Sequence, residues 1–281
     1  MTIENLHIQL GNNPLEYREL LTIPSEVNFG LELELDKINP QEALKLVRNN
    51  FNQGWKIKTD DSLTKDQNIE IVSPVLQNKR QTWKLLYKLG QLLERINADY
   101  TECSFQINFD GSLLPSNEDK IRFLKLYAMY EDIIYRFSKG EDKEYRESLE
   151  TYASPIILAL KGAIQYDDEA AIEMFSNNKR YGVIFKTINR DLIEFRTPNM
   201  TSNPILMQNY ITFFYYLLKF ATNKKYPKRE IDEYIDKFYK IYLLEGYELL
   251  KTDKALKLST VIFPYKQDQL SFMHQYLGKT K

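Results

Sequence analysis

Residues 26–36, EVNFGLELELD, alternate without a break: Val27, Phe29, Leu31, Leu33 and Leu35 fall on one side of an extended chain, and Glu26, Asn28, Gly30, Glu32, Glu34 and Asp36 on the other. A period of two predicts a strand with an apolar back and an acidic front. The same pattern returns in CSFQINF at 103–109, with Cys103, Phe105, Ile107 and Phe109 behind and Ser104, Gln106 and Asn108 in front. A hairpin is expected from Gly182–Ile188 and Asp191–Thr197 joined by Asn189-Arg190. Its second strand puts Leu192, Glu194 and Arg196 on one face and Ile193, Phe195 and Thr197 on the other. Trp55–Thr59 and Asn68–Val72 read as two shorter strands around the turn-rich DDSLTKDQ, the second ended by Ser73-Pro74.

Between these strands the apolar spacing becomes helical. QEALKLVRNNF after Pro40 is a short amphipathic helix, and residues 79–96 align Trp83, Leu86, Leu89, Leu92, Leu93 and Ile96 on one face. A capping-box-like spacing from Ser116 to Asp119 opens a helix over 117–138, and 141–161 holds one or two more, broken near Pro155. Residues 203–222 and 227–250 read as two long helices, with Phe213, Phe214, Tyr215, Tyr216 and Phe220 in the core. Strands in antiparallel groups with helices between them predict an α+β fold, a sheet with helices on its apolar face. The expected organisation is an extension at 1–25, one domain at 26–222, and a helical extension at 223–281 packed on it.

Composition narrows the chemistry. The chain has 281 residues, 43% hydrophobic and 27% charged, with a formal net charge of -1, an ordinary globular balance with no field of one sign to hold nucleic acid. Cys103 is the one cysteine and His7 and His274 the two histidines, so an internal disulfide and a four-cysteine zinc site are excluded. Cys103 lies on the apolar side of its strand and reads as a buried inert thiol; the histidines read as surface or terminal residues. No phosphate-binding glycine loop occurs. The segment MTIENLHIQLGNN has neither a basic nor an apolar leader region, and the apolar stretch 211–221 is too short to span a bilayer, so a cytoplasmic protein without a membrane partner is expected.

If the alternating strands share one sheet, its open face displays Glu32, Glu34, Glu70, Gln106, Asn108, Glu194 and Arg196. A single such strand is most often the solvated face of an antiparallel sheet. Acids concentrated on several strands point instead to a site, because their mutual repulsion must be relieved and Arg196 compensates only one of them. Divalent magnesium or manganese would compensate the rest, since hard cations take oxygen ligands.

These pieces resemble the amidoligases, ATP-dependent carboxylate-amine ligases of the glutamine synthetase and γ-glutamylcysteine ligase fold. The matching residues are FGLELEL at 29–35, Trp55 with DDSL at 60–63, EIVSPVL at 70–76, Glu131, Arg146 ahead of YASP at 152–155, Arg180-Tyr181, and IEFRTPN at 193–199. The resemblance implies a curved antiparallel sheet whose polar face binds ATP and Mg²⁺, or Mn²⁺. It also implies formation of an isopeptide-type amide through an acyl phosphate. The substrates implied are a peptide, protein or cell-wall precursor bearing a carboxylate and an amine. Carried over residue by residue, Glu32, Glu34, Glu70 and Glu194 are expected as metal ligands. Arg196 and Arg180 are expected to stabilise the transferring phosphoryl group, with Gln106 and Asn108 also contacting the nucleotide. Asp61 is expected to orient the amine or a metal-bound water, and Arg146 to hold the substrate carboxylate. The family usually carries His-x-His where this chain has Gln106 and Asn108, which weakens one metal position. Two rival readings follow: a catalytically inactive amidoligase-like binding protein, and a phosphotransferase using the same fold.

Overall fold

The alternating stretch forms β1 (Asn28–Leu35) at the middle of a seven-stranded antiparallel sheet. The other strands are β2 (Lys56–Lys58), β3 (Ile69–Val72), β4 (Leu76–Gln77), β5 (Phe105–Asp110), β6 (Val183–Lys186) and β7 (Leu192–Phe195). They lie in the order β2-β3-β1-β5-β7-β6, with β4 pairing β1 off this path. The sheet is curved and unclosed, and with its helices makes an α+β fold. The computed structural model describes residues 3–12, 15–51, 54–58, 68–96, 100–141, 145–164, 167–223 and 252–278. Asp61, the DDSL turn and the helix expected over 227–250 lie outside the described residues.

Register decides which side chains share a side of the sheet. Phe29 pairs with Phe109, Leu33 with Phe105, Leu33 with Ile71, Ile107 with Phe195, and Phe185 with Ile193, so the apolar halves of five strands form one layer. That layer is buried against helices. Trp83 of α3 (Arg80–Ile96) stacks on Phe29 at 5.8 Å, and Phe214 of α9 (Pro204–Ala221) stacks on Phe195 at 4.1 Å. Phe123 of α4 (Asn117–Met129) meets Phe195 edge-on at 5.9 Å. Local signals start these helices. Asn203 caps α9 by accepting from Ile205 N ahead of Pro204, and Asn39 caps α2 (Pro40–Asn50) in the same way.

The end of β3 shows how the sheet survives Pro74. Glu32 pairs with Val72 and Phe29 with Leu76, so two β1 residues face the three residues Ser73–Val75 in a bulge. Pro74 has no N–H to give the ladder, and Ser73 compensates: its hydroxyl accepts from Leu31 N at 2.8 Å and its own N–H donates to Leu31 O at 2.9 Å.

Three expectations are corrected. The helix over 117–138 is two helices, α4 and α5 (Glu131–Ser138), separated at Tyr130. The turn between β6 and β7 is not Asn189-Arg190 alone. Lys186 pairs with Leu192, leaving a five-residue connection, because Asn177 Oδ1 accepts from Thr187 N and Ile188 N and draws the chain away from β7. His274 is not a surface residue. It is buried on α11 (Lys266–Tyr276), a helix held on the core by Phe272, which stacks on Phe137 and Phe213 at 4.9 and 5.1 Å.

The terminal segments share this core. Leu6 and Leu10 of α1 (Ile3–Asn12) and Ala255 and Leu258 of α10 (Thr252–Ile262) belong to the same buried cluster as the sheet. Arg18 pairs with Asp268 at 2.5 Å, tying the N-terminal segment to α11. No described helix is long and apolar enough to cross a membrane.

Gly90 lies inside α3, where alanine normally gains about 1 kcal/mol. A Cβ there would stand 2.2 Å from the Ser202 carbonyl oxygen, a backbone atom that cannot swing away. Gly90→Ala is therefore expected to destabilise the protein by about 1–3 kcal/mol in urea unfolding.

Glu131 supplies a second test. Its buried carboxyl accepts from Ile156 N at 2.5 Å and Ile157 N at 3.2 Å, at the start of α7 (Ile157–Ile164). Burial pushes its pKa up to about 8, against the effect of those two hydrogen bonds. The folded state thus holds a proton that the unfolded chain loses above about 4.5. Stability is expected to fall between about pH 4.5 and 8, by about 1.4 kcal/mol per unit at most. Thermal melts across that range should show Glu131→Gln flattening the slope.

Candidate functional site

On the side of the sheet away from the aromatic layer, register brings together residues far apart in sequence. Glu32 pairs with Gln106, Glu34 with Glu70, and Asn108 with both Gly30 and Glu194. The seven residues expected on this face are joined by hydrogen bonds and ion pairs in one network, Glu70 through Glu32. Glu34 accepts from Ser104 N at 2.8 Å and from Gln106 Nε2 at 2.5 Å. Gln106 Oε1 in turn accepts from Arg196 at 2.9 Å. The same Arg196 nitrogen donates to Glu194 at 2.8 Å, while Arg196 Nε donates to Tyr152 O at 2.9 Å. Asn108 Nδ2 donates to Glu32 Oε1 at 2.8 Å.

The network is covered, which corrects the expectation of an open face. Glu194 has no exposed surface, and Glu34, Gln106, Asn108 and Arg196 are each buried; Glu32 and Glu70 are partly exposed. Gln106 shows why an amide suits this position. A charged acceptor lies on one side of it and a charged donor on the other, and glutamine serves both at once.

Lys186 joins the ends of the network, and sequence reasoning missed it. Its ammonium lies 3.1 Å from Glu32 Oε1 and pairs directly with Glu194 Oε2. A two-residue turn at Asn189-Arg190 would have set Lys186 opposite Ile193, on the apolar side; the observed pairing with Leu192 shifts the register by one and turns it to the acids. The signal was present in the apolar phase, since Val183 and Phe185 match Phe195 and Ile193 only in the observed register. Lys58 was missed as well, and lies 3.6 Å from Glu70.

These lysines change the electrostatics. Four carboxylates, Glu32, Glu34, Glu70 and Glu194, meet Lys186, Arg196 and Lys58, and the buried Arg146 acts on Glu34. Burial works to raise the Glu32 pKa, but a hydrogen bond with Glu70, the Lys186 ammonium and the Asn108 amide outweigh it and hold it down at about 2. Burial lowers the Lys186 pKa, and the charges of Glu194 and Glu32 more than reverse that.

Other expected roles fare differently. Arg146 is buried and its fork donates to the carbonyls of Cys103, Pro198 and Arg196 at 3.3, 3.0 and 2.6 Å. The guanidinium fixes strand ends and the backbone of Arg196. Arg180 is exposed and stands outside the network. Glu131 caps α7, away from it. Cys103 is buried and in no disulfide, as expected.

The acids expected as magnesium or manganese ligands are each engaged by groups of the chain. Among the described residues, no three His, Cys, Asp or Glu side chains are grouped to hold a metal ion. Glu34 is turned to Ser104 and Gln106, and the space between Glu32 and Glu194 is taken by the Lys186 ammonium. A cavity of about 480 Å³ opens beside the network, bounded by Gly30, Glu32 and Asn108 from the sheet, Val75 from the bulge, and Arg190 and Asp191 from the β6–β7 connection. Its size is that of a small-ligand site. No protein-family model matches the chain, and no curated protein matches it.

Truncation should separate the two amides. Gln106→Leu strips a partner from both Glu34 and Arg196, which are buried and charged, and is expected to cost about 2–4 kcal/mol. Asn108→Leu leaves Glu32 with Lys186 and is expected to cost about 1 kcal/mol or less. Urea unfolding of both variants at neutral pH checks the order.

Proposed function

We propose that the chain is an ATP-dependent carboxylate-amine ligase whose site is the network around Glu194 and Arg196 and the cavity beside it. One observation carries this reading. The pieces that resemble amidoligases, FGLELEL, EIV and IEFR, come from separate parts of the sequence and lie in one sheet, with the Gln106 and Asn108 strand between FGLELEL and IEFR and the polar residues of all four on one side. A cavity of ligand size opens beside Glu32 and Asn108.

In this reading a carboxylate oxygen of the substrate attacks the γ-phosphorus of ATP, and the bond to the β-phosphate oxygen breaks to release ADP. An amine then attacks the acyl carbon and expels phosphate, leaving an amide. Such chemistry asks the protein for positioning and charge neutralisation more than for a nucleophile, which suits a chain whose cysteine is buried. Arg196 and Lys186 are the cations that would neutralise transferring oxygens. A guanidinium fork matches phosphate geometry, and Arg196 is held in place by Glu194, Gln106 and Tyr152 O. The wall formed by Asp110, Asp191 and Glu32 gives an amine an acidic approach. No step is assigned to a protein-bound divalent ion, because Lys186 holds the position such an ion would need.

A second reading is favoured by the completeness of the network. Glu32, Glu34, Glu70 and Glu194 each have a cationic or amide partner within the chain, which suits a binding protein without turnover.

Calorimetric titration of ATP, supplied as its magnesium salt, followed by an ADP-release screen of carboxylates and amines, tests both. Binding with amine-dependent ADP release supports the ligase, and Arg196→Ala should lower the rate by about 10²-fold or more. Binding without turnover supports the second reading. A folded wild-type chain that binds no ATP overturns the ligase and favours a binding protein for another ligand.

A further inference from the structure

The cation between Glu32 and Glu194 belongs to the chain. Lys186 reaches from β6 across β7, and its ammonium meets one oxygen of each carboxylate, at 3.1 Å for Glu32 and in direct contact for Glu194. The β5 residue between those two strands is Asn108, the register partner of Glu194. Its Nδ2 is used on Glu32, but its Oδ1 is buried and carries no hydrogen bond. A buried amide oxygen without a donor is costly in a side chain otherwise satisfied. Two carboxylates thus share one stretch of the sheet beside a buried, unpartnered amide oxygen, with a lysine where the cation of the two acids would be.

We infer that Lys186 is a tethered monovalent cation that excludes divalent ions from this position, and that a neutral residue at 186 converts the position into a divalent-cation site. The ligands would be the Glu32 and Glu194 carboxylates, the two groups that the Lys186 ammonium meets. Magnesium and manganese favour such hard oxygen donors, and either ion would complete its shell with water. Lys186 is therefore a specificity residue: it sets which cation the acids accept. The inference stands on this geometry alone and uses no nucleotide, so failure of the ligase reading leaves it untouched.

Removing the lysine is structurally feasible. Glu194 keeps Arg196 at 2.8 Å and Glu32 keeps Asn108 at 2.8 Å, so neither acid loses all its partners. The test is manganese titration of the full-length chain, read by loss of the free aqueous Mn²⁺ resonance signal, on wild type, Lys186→Met and Lys186→Met/Glu194→Gln. Lys186→Met is expected to take up one Mn²⁺ per chain at least about tenfold more tightly than wild type, and the double variant to lose that gain. The melting temperature of Lys186→Met should rise with added Mn²⁺ while those of wild type and the double variant do not, since a ligand bound only by the folded state stabilises it. Should the methionine variant fail to fold, Lys186→Gln serves in its place, its amide able to donate to either carboxylate. Wild type binding Mn²⁺ as tightly as the variant would overturn the inference. So would a folded variant that gains no site, or a gain that survives in the double variant.

Discussion

The carboxylate of Glu194 sits without solvent exposure on the polar side of the sheet, and everything around it answers to keeping that charge paired. A buried anion without partners would cost several kcal/mol or take up a proton. Arg196, two residues along the same strand, and Lys186, from the neighbouring strand, supply the pairing. Their own positions then need support: Gln106 and Tyr152 O hold Arg196, and Arg146 holds the Arg196 backbone. The charge on one residue thus recruits groups from β5 and β6, from the residue just past β7, and from the 146–152 segment.

This arrangement is possible because the other side of the sheet carries the hydrophobic load. Phe29, Phe105, Phe109, Ile193 and Phe195 are fully or nearly fully buried, and α3, α4 and α9 close over them with stacked and edge-on rings. A dense aromatic layer fixes strand register, since a slip of one residue would send every side chain to the wrong side. Register in turn sets which amide faces which acid. The polar network is only as well defined as the core beneath it.

Much of this was legible in the chain. Strict alternation at 26–36, 103–109 and 191–197 identified the strands and the polar side of each, because side chains of a strand alternate regardless of what they pack on. The resemblance to amidoligases rests on the first and last of these stretches together with 70–76, and Glu32, Glu34, Glu70, Gln106, Asn108, Glu194 and Arg196 do share one side. What failed to read through was partnership. Arg146 looked like a ligand-binding residue and is spent on carbonyls, Glu131 turned out to cap a helix, and Lys186 was invisible behind a turn assigned two residues instead of five.

The sequence by itself determined the periodicities: which stretches extend, which coil, and which residues of a strand go in or out. It determined the helix starts at Asn39-Pro40 and Asn203-Pro204, since capping is local. Only the tertiary structure decided that the acidic face is covered and that its charge is balanced by lysines within the chain. Those depend on strand order and register, which are settled by contacts between residues such as Glu32 and Lys186, 154 positions apart. No local pattern encodes that distance.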